Sequence, residues 1–429
     1  MERTYIKDLG KQVGKTATIM GFAQAVRKQG SILFLIIRDR TGLAQAVITK
    51  SNAQVFATAS ALSEESVVSV TGLVKAEKQA PGGFELEPTE LVVFSVAETL
   101  PIPIVPEKGG GESEITKRLD WRWLDLRQPE KAQIFWVWTE LEAGFREYWL
   151  QNGFVQVYSP SFMNIASESG AEVFEVKYFE KKAYLAQSPQ FYKQMALAAG
   201  FERVFMVGPV FRAEPSFTTR HMTEFTGWDF EVAYIQSHFE VMEIEEQLLV
   251  SGFKRVKEKL KLELDIPQLP FPRLTLAEVK EKLESAGVMG EKQGDLSPEE
   301  ERQIGKIVKQ ETGSDFVWVI DYPIETRAFY HMRHEDNQKL TKGFDLLYIG
   351  LEVTTGAQRE HRIEKLEKQA KEKGMDLESL KGYLNFFRFG CPPHGGVGIG
   401  PGRLVMKMLD LESVKEATFL PRDVKRLTP

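Results

Sequence analysis

Two breaks set close together do most to decide what this chain can fold into. Leu100-Pro101-Ile102-Pro103 and Lys108-Gly109-Gly110-Gly111 interrupt any helix or sheet ladder, because proline removes a backbone donor and glycine resists fixed dihedrals. They separate a run of short strands from a longer region of mixed strands and helices. With 429 residues the chain also exceeds what one hydrophobic core usually serves. The expected organisation is a domain over 1–103, a linker over 104–131 and a second domain over 132–429, the last carrying a helical insertion at about 270–322. In that insertion Leu276–Ser285 and Pro298–Thr312 read as amphipathic helices.

The first region reads as Thr16–Val26, Ile32–Arg38 and Leu43–Ile48, β-formers separated by Gln29-Gly30 and Arg40-Thr41-Gly42. Ala57–Leu62 reads as a short helix, and Val67–Lys75 and Phe84–Val96 resume strand character around Ala80-Pro81-Gly82-Gly83. The order β-β-β-α-β-β is that of a five-stranded OB barrel; composition alone also suits a β-sandwich fragment. Ile32 to Ile37 is apolar throughout, so alternation does not say which face Phe34 takes. Beyond the linker, Ala132–Gly153 is helical in pattern, with Phe135, Leu141, Phe145 and Leu150 on one face. Strands and helices then mix without βαβ alternation, so the whole reads as α+β.

Bulk properties exclude several classes. The net charge is -6, and residues 1–100 hold 11 Lys/Arg against 10 Asp/Glu, so no strongly basic domain announces a nucleic-acid partner. The lone Cys391 excludes an internal disulfide framework and a cysteine-rich zinc site. Neither an apolar signal core at Met1-Glu2-Arg3-Thr4 nor a long uncharged apolar run is present, which suits a cytoplasmic protein with no membrane partner. Neither Gly-x-Gly-x-x-Gly nor a Walker phosphate loop occurs, so any nucleotide is held on another scaffold.

The most informative segment is Phe211-Arg212-Ala213-Glu214-Pro215-Ser216-Phe217-Thr218-Thr219-Arg220-His221-Met222-Thr223-Glu224-Phe225. Apolar runs Val204–Val210 and Trp228–Tyr234 flank it, so it reads as a hairpin with a long polar loop. Guanidinium forks suit phosphate oxygens, and an aromatic such as Phe225 suits a base; a solvated loop with surface ion pairs satisfies the same charges.

Phe-Arg-Ala-Glu followed by Thr-x-Arg-His-x-x-Glu-Phe resembles motif 2 of class II aminoacyl-tRNA synthetases, in the form used by the aspartate and asparagine enzymes. Gly153-Phe154-Val155-Gln156-Val157-Tyr158-Ser159-Pro160 resembles motif 1, and Gly398-Ile399-Gly400-Pro401-Gly402-Arg403-Leu404 resembles motif 3. The closing Phe419-Leu420-Pro421-Arg422-Asp423 and Arg426-Leu427-Thr428-Pro429 resemble the end of compact archaeal-type aspartyl-tRNA synthetases. The resemblance spans essentially the whole chain. It implies an antiparallel catalytic sheet flanked by helices, a homodimer through motif 1, ATP as substrate with Mg2+, and tRNA(Asp) as partner.

Site roles follow by the same resemblance. Arg212 would grip the α-phosphate and the activated carboxylate, Glu214 the adenine edge, and Arg220 and His221 the outer phosphates. Phe225 would stack under adenine, and Arg403 would lie near the γ-phosphate. Ala213, Met222, Gly400, Pro401 and Gly402 complete the ATP site. Gln187-Ser188-Pro189-Gln190-Phe191-Tyr192-Lys193 resembles the L-aspartate-binding segment, with Gln190, Phe191, Tyr192 and Lys193 in contact. Lys193 and Arg359 would meet the side-chain carboxylate, which favours aspartate over asparagine because unpaired buried cations are costly. Asp229 and Glu168 would hold the α-ammonium, Glu168 from a flipping loop, Ala166-Ser167-Glu168-Ser169-Gly170. Glu352, Thr355 and Asp345 would bind the metal, and Thr355 would also contact aspartate. On the barrel, Arg27, Phe34 and Gln45 would read the anticodon. The loop at Gly83 lacks the lysine, and the surroundings of Gln24 the tryptophan, that mark strict enzymes, which implies charging of tRNA(Asn) as well. One departure stands out. Motif 3 usually carries glutamate before its arginine, and here that place is Gly402. It keeps in view a non-catalytic RNA-binding paralogue, beside an asparaginyl-tRNA synthetase as the nearer alternative.

Overall fold

The computed structural model describes residues 2–105, 112–164, 172–288, 290 and 293–429. The chain divides into two compact units, Met1–Pro129 and Glu130–Pro429.

In the first unit, β1 (Thr16–Gln29), β2 (Ile32–Asp39), β3 (Gly42–Thr49), α1 (Ala53–Ser60), β4 (Val67–Ala76) and β5 (Phe84–Ser95) form a closed barrel in the order β1-β2-β3-β5-β4. This is the OB topology expected from the element order. Leu33, Leu35 and Ile37 of β2 enter its core with Ile19, Val68, Val70 and Leu86, so Phe34, on the alternate face of the strand, points out. The helix begins four residues before the expected Ala57, because the Asn52 side chain accepts the Val55 N–H and caps it there. The stretch expected as a linker carries two short helices, α2 (Ile115–Asp120) and α3 (Arg122–Asp125). The second is held by a buried Arg122–Asp125 ion pair of 2.6 Å, and Arg127 reaches Glu65 of the same unit at 3.0 Å.

The second unit opens with α4 (Pro129–Gln151), β6 (Val155–Gln156), β7 (Phe162–Met163), β8 (Glu175–Tyr178), β9 (Lys181–Leu185) and α5 (Gln190–Ala198). The hairpin β10 (Arg203–Phe211) and β11 (Glu224–Ala233) follows, then α6 (His238–Leu260), β12 (Arg273–Thr275), α7 (Leu276–Ser285) and α8 (Pro298–Thr312). It closes with β13 (Phe316–Ile320), β14 (Gly343–Tyr348), β15 (Leu351–Arg359), α9 (Ile363–Glu372), α10 (Lys381–Arg388), β16 (His394–Ile399) and α11 (Pro401–Met408). Among the described residues an eight-stranded sheet runs β12-β13-β14-β15-β16-β11-β10-β6. Its ladders are antiparallel except at the two ends, β12 with β13 and β10 with β6.

The main core lies between this sheet and helices α4 and α6, where Val137, Leu141, Phe145 and Trp149 pack with Trp228, Phe230, Leu249 and Phe253. Those four α4 residues form one i, i+4 row. Leu150, expected on the buried face, is 60 % exposed, and its neighbour Trp149 takes the place. The helices α7 and α8, expected as an insertion, span the residues that their patterns predict, because Thr275–Glu278 and Ser297–Glu300 form capping boxes at their starts. Among the described residues no helix is long and apolar enough to cross a membrane.

Candidate active site

The β10–β11 hairpin pairs from Arg203 opposite Val232 to Phe211 opposite Glu224, and its polar loop arches over a cavity of about 1230 Å³. The loop contributes Arg212, Glu214, Arg220, His221 and Met222 to the wall, and Phe225 joins them from β11. Glu352, Thr355 and Arg359 enter from β15, Gln190 and Lys193 from α5, and Asp229 from β11. Gly400, Gly402 and Arg403 close the wall at the turn from β16 into α11. Residues scattered from 190 to 403 thus converge because central strands of one sheet, and the loop and turn that extend them, carry all but the two on α5.

One end of the cavity is a buried charge cluster. The Lys193 ammonium is 2.8 Å from Asp229 and 3.2 Å from Glu231, and it also donates to the Val397 carbonyl at 3.0 Å. Arg359 donates from Nε to Glu231 at 2.9 Å and from Nη2 to the Gly396 carbonyl at 2.9 Å. Glu231, fully buried and outside the lining, therefore joins the two cations from behind. Burial works to raise its carboxyl, but Arg359 and Lys193 outweigh it and hold it below the usual value. The carboxylate lies so close to the backbone of β16 that a Cβ on Gly396 would stand 2.1 Å from it. Glu231 did not emerge from the sequence as a site residue. Its signal is the Asp229-x-Glu231 spacing, which puts both acids on one face of a strand.

The other end is more open. Arg212 is 42 % exposed along its side chain and lies 3.9 Å from Glu214, with its guanidinium 5.5 Å from the centre of the Phe225 ring. His221 contacts the hydroxyls of Ser216 and Thr218 through Nδ1. Burial, with Arg403 and Arg220 close by, pulls its imidazole down to about 4, so it is neutral at physiological pH. Arg403 donates to the Glu352 carbonyl at 2.8 Å and to its carboxylate at 3.3 Å. The orientation of Arg403 therefore comes from Glu352 and needs no carboxylate at 402. A Cβ on Gly402 would already stand 3.1 Å from Val414 and 3.7 Å from Trp138, so the site is filled from its neighbours.

Several expected residues sit elsewhere. Phe191 and Tyr192 do not line the cavity; Phe191 packs on Tyr383 with ring centres 4.1 Å apart, and Tyr192 packs against the same cluster. Ala213 and Pro401 are in the neighbouring backbone, Ala213 bonded to the Glu172 carbonyl at 3.0 Å and Pro401 opening α11. Asp345 lies behind the wall, taking both guanidinium nitrogens of Arg327 and the Thr355 hydroxyl. Both Asp345 oxygens thus accept hydrogen bonds within the protein. The other two expected metal ligands, Glu352 and Thr355, have oxygens 3.5 Å apart. Among the described residues no cluster of three or more His, Cys, Asp or Glu side chains is arranged to hold a metal unaided. Glu168 lies outside the described residues. Tyr330 and His331, neither expected, also line the wall beside Arg359.

In the first unit Arg27 stands opposite Phe34 across the β1–β2 ladder. Gln45, opposite Ile36 on β3, shares their outward face and donates to Glu85 at 3.3 Å. Gly83, at φ 80°, ends the turn before β5.

Comparison with known proteins identifies the family. A model of the tRNA synthetases class II (D, K and N) matches residues 114–424, and one of the OB-fold nucleic acid binding domain matches 17–94. The aspartate--tRNA(Asp/Asn) ligase of Aeropyrum pernix is 42 % identical, covering 97 % of this chain and 96 % of its own. The aspartate--tRNA(Asp) ligase of Pyrococcus abyssi is 40 % identical, covering 97 % of each. The crystal structure of asparaginyl-tRNA synthetase from Pyrococcus horikoshii complexed with asparaginyl-adenylate superposes with a TM-score of 0.92 at 34 % identity, over 100 % of both chains. With a family match over most of its length and full-length relatives at this identity, the chain belongs to the class II tRNA synthetases of the D, K and N group.

Proposed function

We propose that this enzyme activates L-aspartate with ATP and loads it onto tRNA(Asp) and tRNA(Asn). The observation that carries the choice of amino acid is the Lys193–Asp229–Glu231–Arg359 cluster. Of its charges, the wall presents Lys193, Arg359 and Asp229, two cations and one anion. Free aspartate, with two carboxylates and one ammonium, is the complement. Its side-chain carboxylate meets Lys193 and Arg359, and its ammonium meets Asp229, with Gln190 beside them. Asparagine offers one neutral amide oxygen where aspartate offers two anionic ones, and it turns an NH2 donor toward the cations, a mismatch that buried polar sites reject.

The α-carboxylate oxygen attacks the α-phosphorus of ATP. A new O–P bond forms, the bond to the bridging oxygen breaks, and pyrophosphate leaves. Arg212 receives charge building on the α-phosphate, Arg220 and Arg403 hold the outer phosphates, and Phe225 lies under adenine with Glu214 at its edge. Preset cationic donors of this kind lower the barrier without a protein nucleophile. Neutral His221 adds a hydrogen bond rather than a charge. Glu352 and the Thr355 hydroxyl fit Mg2+, which protein sites hold through one or two oxygen ligands together with substrate phosphates; when bound it neutralises phosphate charge. A hydroxyl at the 3′ end of tRNA then attacks the acyl carbon, and AMP leaves.

Exposed Arg27 and half-buried Phe34 and Gln45 share an outward face suited to stacking and edge-bonding an unstacked base. The turn at Gly83 brings no cationic side chain to restrict the third anticodon base, which supports charging of both tRNAs. Exposed Val155 and Tyr158 beside the end strand β6 support a homodimer through that edge. The test is charging with labelled aspartate of two transcripts, one with each anticodon, beside pyrophosphate exchange with aspartate and asparagine. Charging of both transcripts is expected. Exchange that favours asparagine overturns the substrate, and charging of one transcript alone overturns the dual specificity.

A further inference from the structure

Glu301 belongs to α8 of the helical insertion, not to the cavity wall, yet it touches the nucleotide end twice. Its Oε1 accepts from Arg220 Nη2 at 2.6 Å, and its Oε2 accepts the backbone N–H of Glu352 at 2.9 Å. Glu301 is buried, its side chain 4 % exposed, and Arg220 is largely shielded, its side chain 14 % exposed. Glu352 in turn receives Arg403. One carboxylate from outside the motifs therefore joins the motif 2 loop to the strand on which Arg403 rests.

The helix is built to present that carboxylate rigidly. Ser297 and Glu300 close the capping box one residue before Glu301, and Lys280 fixes Glu300 from α7. Further along, α8 rides against the β14–β15 turn so closely that a Cβ on Gly305 would stand 2.7 Å from Gly350 Cα. The loop end of the contact is not saturated. Glu301 takes one Nη of the Arg220 guanidinium, and Arg220 Nε is buried with no hydrogen-bond partner among the described residues. A half-engaged, desolvated fork at the cavity wall is suited to a phosphate oxygen.

We infer that Glu301 is a positioning residue of the nucleotide site, holding Arg220 by one edge over the cavity and fixing the Glu352 backbone so that both face the outer phosphates of ATP. The inference rests on the nucleotide reading of this end of the cavity. It gives the insertion a part in activation, since α8 supplies the only described carboxylate that bonds both the loop and β15.

The test compares wild type, Glu301→Gln, Arg220→Ala and the double variant, with ATP binding followed by calorimetry and aspartate KM by pyrophosphate exchange. Glutamine keeps an acceptor for the Glu352 N–H and discards the ion pair. ATP binding is expected to weaken about tenfold in Glu301→Gln, the scale of one lost charge-assisted hydrogen bond, with aspartate KM within twofold. The Glu301 effect is expected to vanish in the Arg220→Ala background. Unchanged ATP affinity, additive losses in the double variant, or an equal loss for ATP and aspartate would each overturn the inference. The Arg220→Ala variant reads the pair from the loop side, and an ATP affinity that it leaves unchanged overturns the inference even where Glu301→Gln folds poorly. Wild type that binds ATP but exchanges with no amino acid overturns the proposed reaction and leaves the calorimetric comparison to decide Glu301; wild type that binds no ATP overturns both.

Discussion

The two ends of the cavity solve the handling of charge differently. At the amino-acid end, Lys193, Arg359, Asp229 and Glu231 are buried and compensate one another within 3.2 Å. At the nucleotide end, Arg212 is 42 % exposed and its recorded ion pair is a loose 3.9 Å. The first end is assembled as the protein folds, so its cost is met by folding and its geometry is preset. The second rests partly on a loop: Arg220 is held there by Glu301 at 2.6 Å, while Arg212, on the reading proposed above, meets its charge partner when ATP arrives. Selectivity for a small substrate needs a pocket that does not adapt, while a triphosphate carries enough charge to organise the groups around it.

If that contrast holds, substitutions at the two ends separate stability from activity. The largest effect is expected from Lys193→Met. Removing the ammonium leaves Asp229 and Glu231 in a buried space with Arg359 as their nearest cation, and breaking a buried pair from one side costs about 3–5 kcal/mol. Urea unfolding should show that loss, and aspartate-dependent exchange should fall with it. A variant as stable as wild type would break the comparison, because the cluster would then not be held by folding. Next comes Arg212→Ala. Stability should stay within about 0.5 kcal/mol of wild type, while kcat for exchange falls roughly 10²–10³-fold, the scale of a lost preset donor. A drop in stability comparable to that of Lys193→Met would show the loop end to be as tightly built as the other.

The same contrast explains what was legible in the sequence. Both insertion helices can be read to the residue, because their starts are local capping boxes and their faces are periodic. The barrel order follows from short strands between turn signals, and the motif 2 and motif 3 arginines lie in contiguous strings. What escaped depends on contacts between distant segments. Phe34 points outward because Leu33, Leu35 and Ile37 take the core, and an all-apolar strand does not reveal that choice. Trp149 displaces Leu150 from the buried face of α4 because packing selected one of two adjacent apolar residues. Asp345 is taken up by Arg327, 18 residues away, and Glu231 meets Arg359, 128 residues away. An acid in a string looks the same whether it faces a metal, an arginine or water. Gly402 shows the converse, since a residue that looks like a lost function proves to be a packed position beside Val414 and Trp138.

The smallest expected effect sharpens the comparison from the loop side. His221 is the titratable group of the loop whose folded value is moved furthest, from 6.5 to about 4, by burial first and then by Arg403 and Arg220. Between those values the unfolded chain holds more protons than the folded one, so stability rises with pH through the window. The contribution is complete above pH 6.5 and is lost as the pH falls toward 4. Replacing His221 by Asn removes it, so the stability of wild type relative to His221→Asn should decline as the pH is lowered from 7 to 5 and stay flat above 7. Urea unfolding at a series of pH values measures this directly. Exchange activity should show no inflection near pH 6.5 that His221→Asn abolishes, because the imidazole is already neutral there. An inflection that disappears in the variant would mean that His221 carries a proton while the outer phosphates are bound. The nucleotide end would then take up charge along with its ligand, and the difference from the preset amino-acid end would be sharper still.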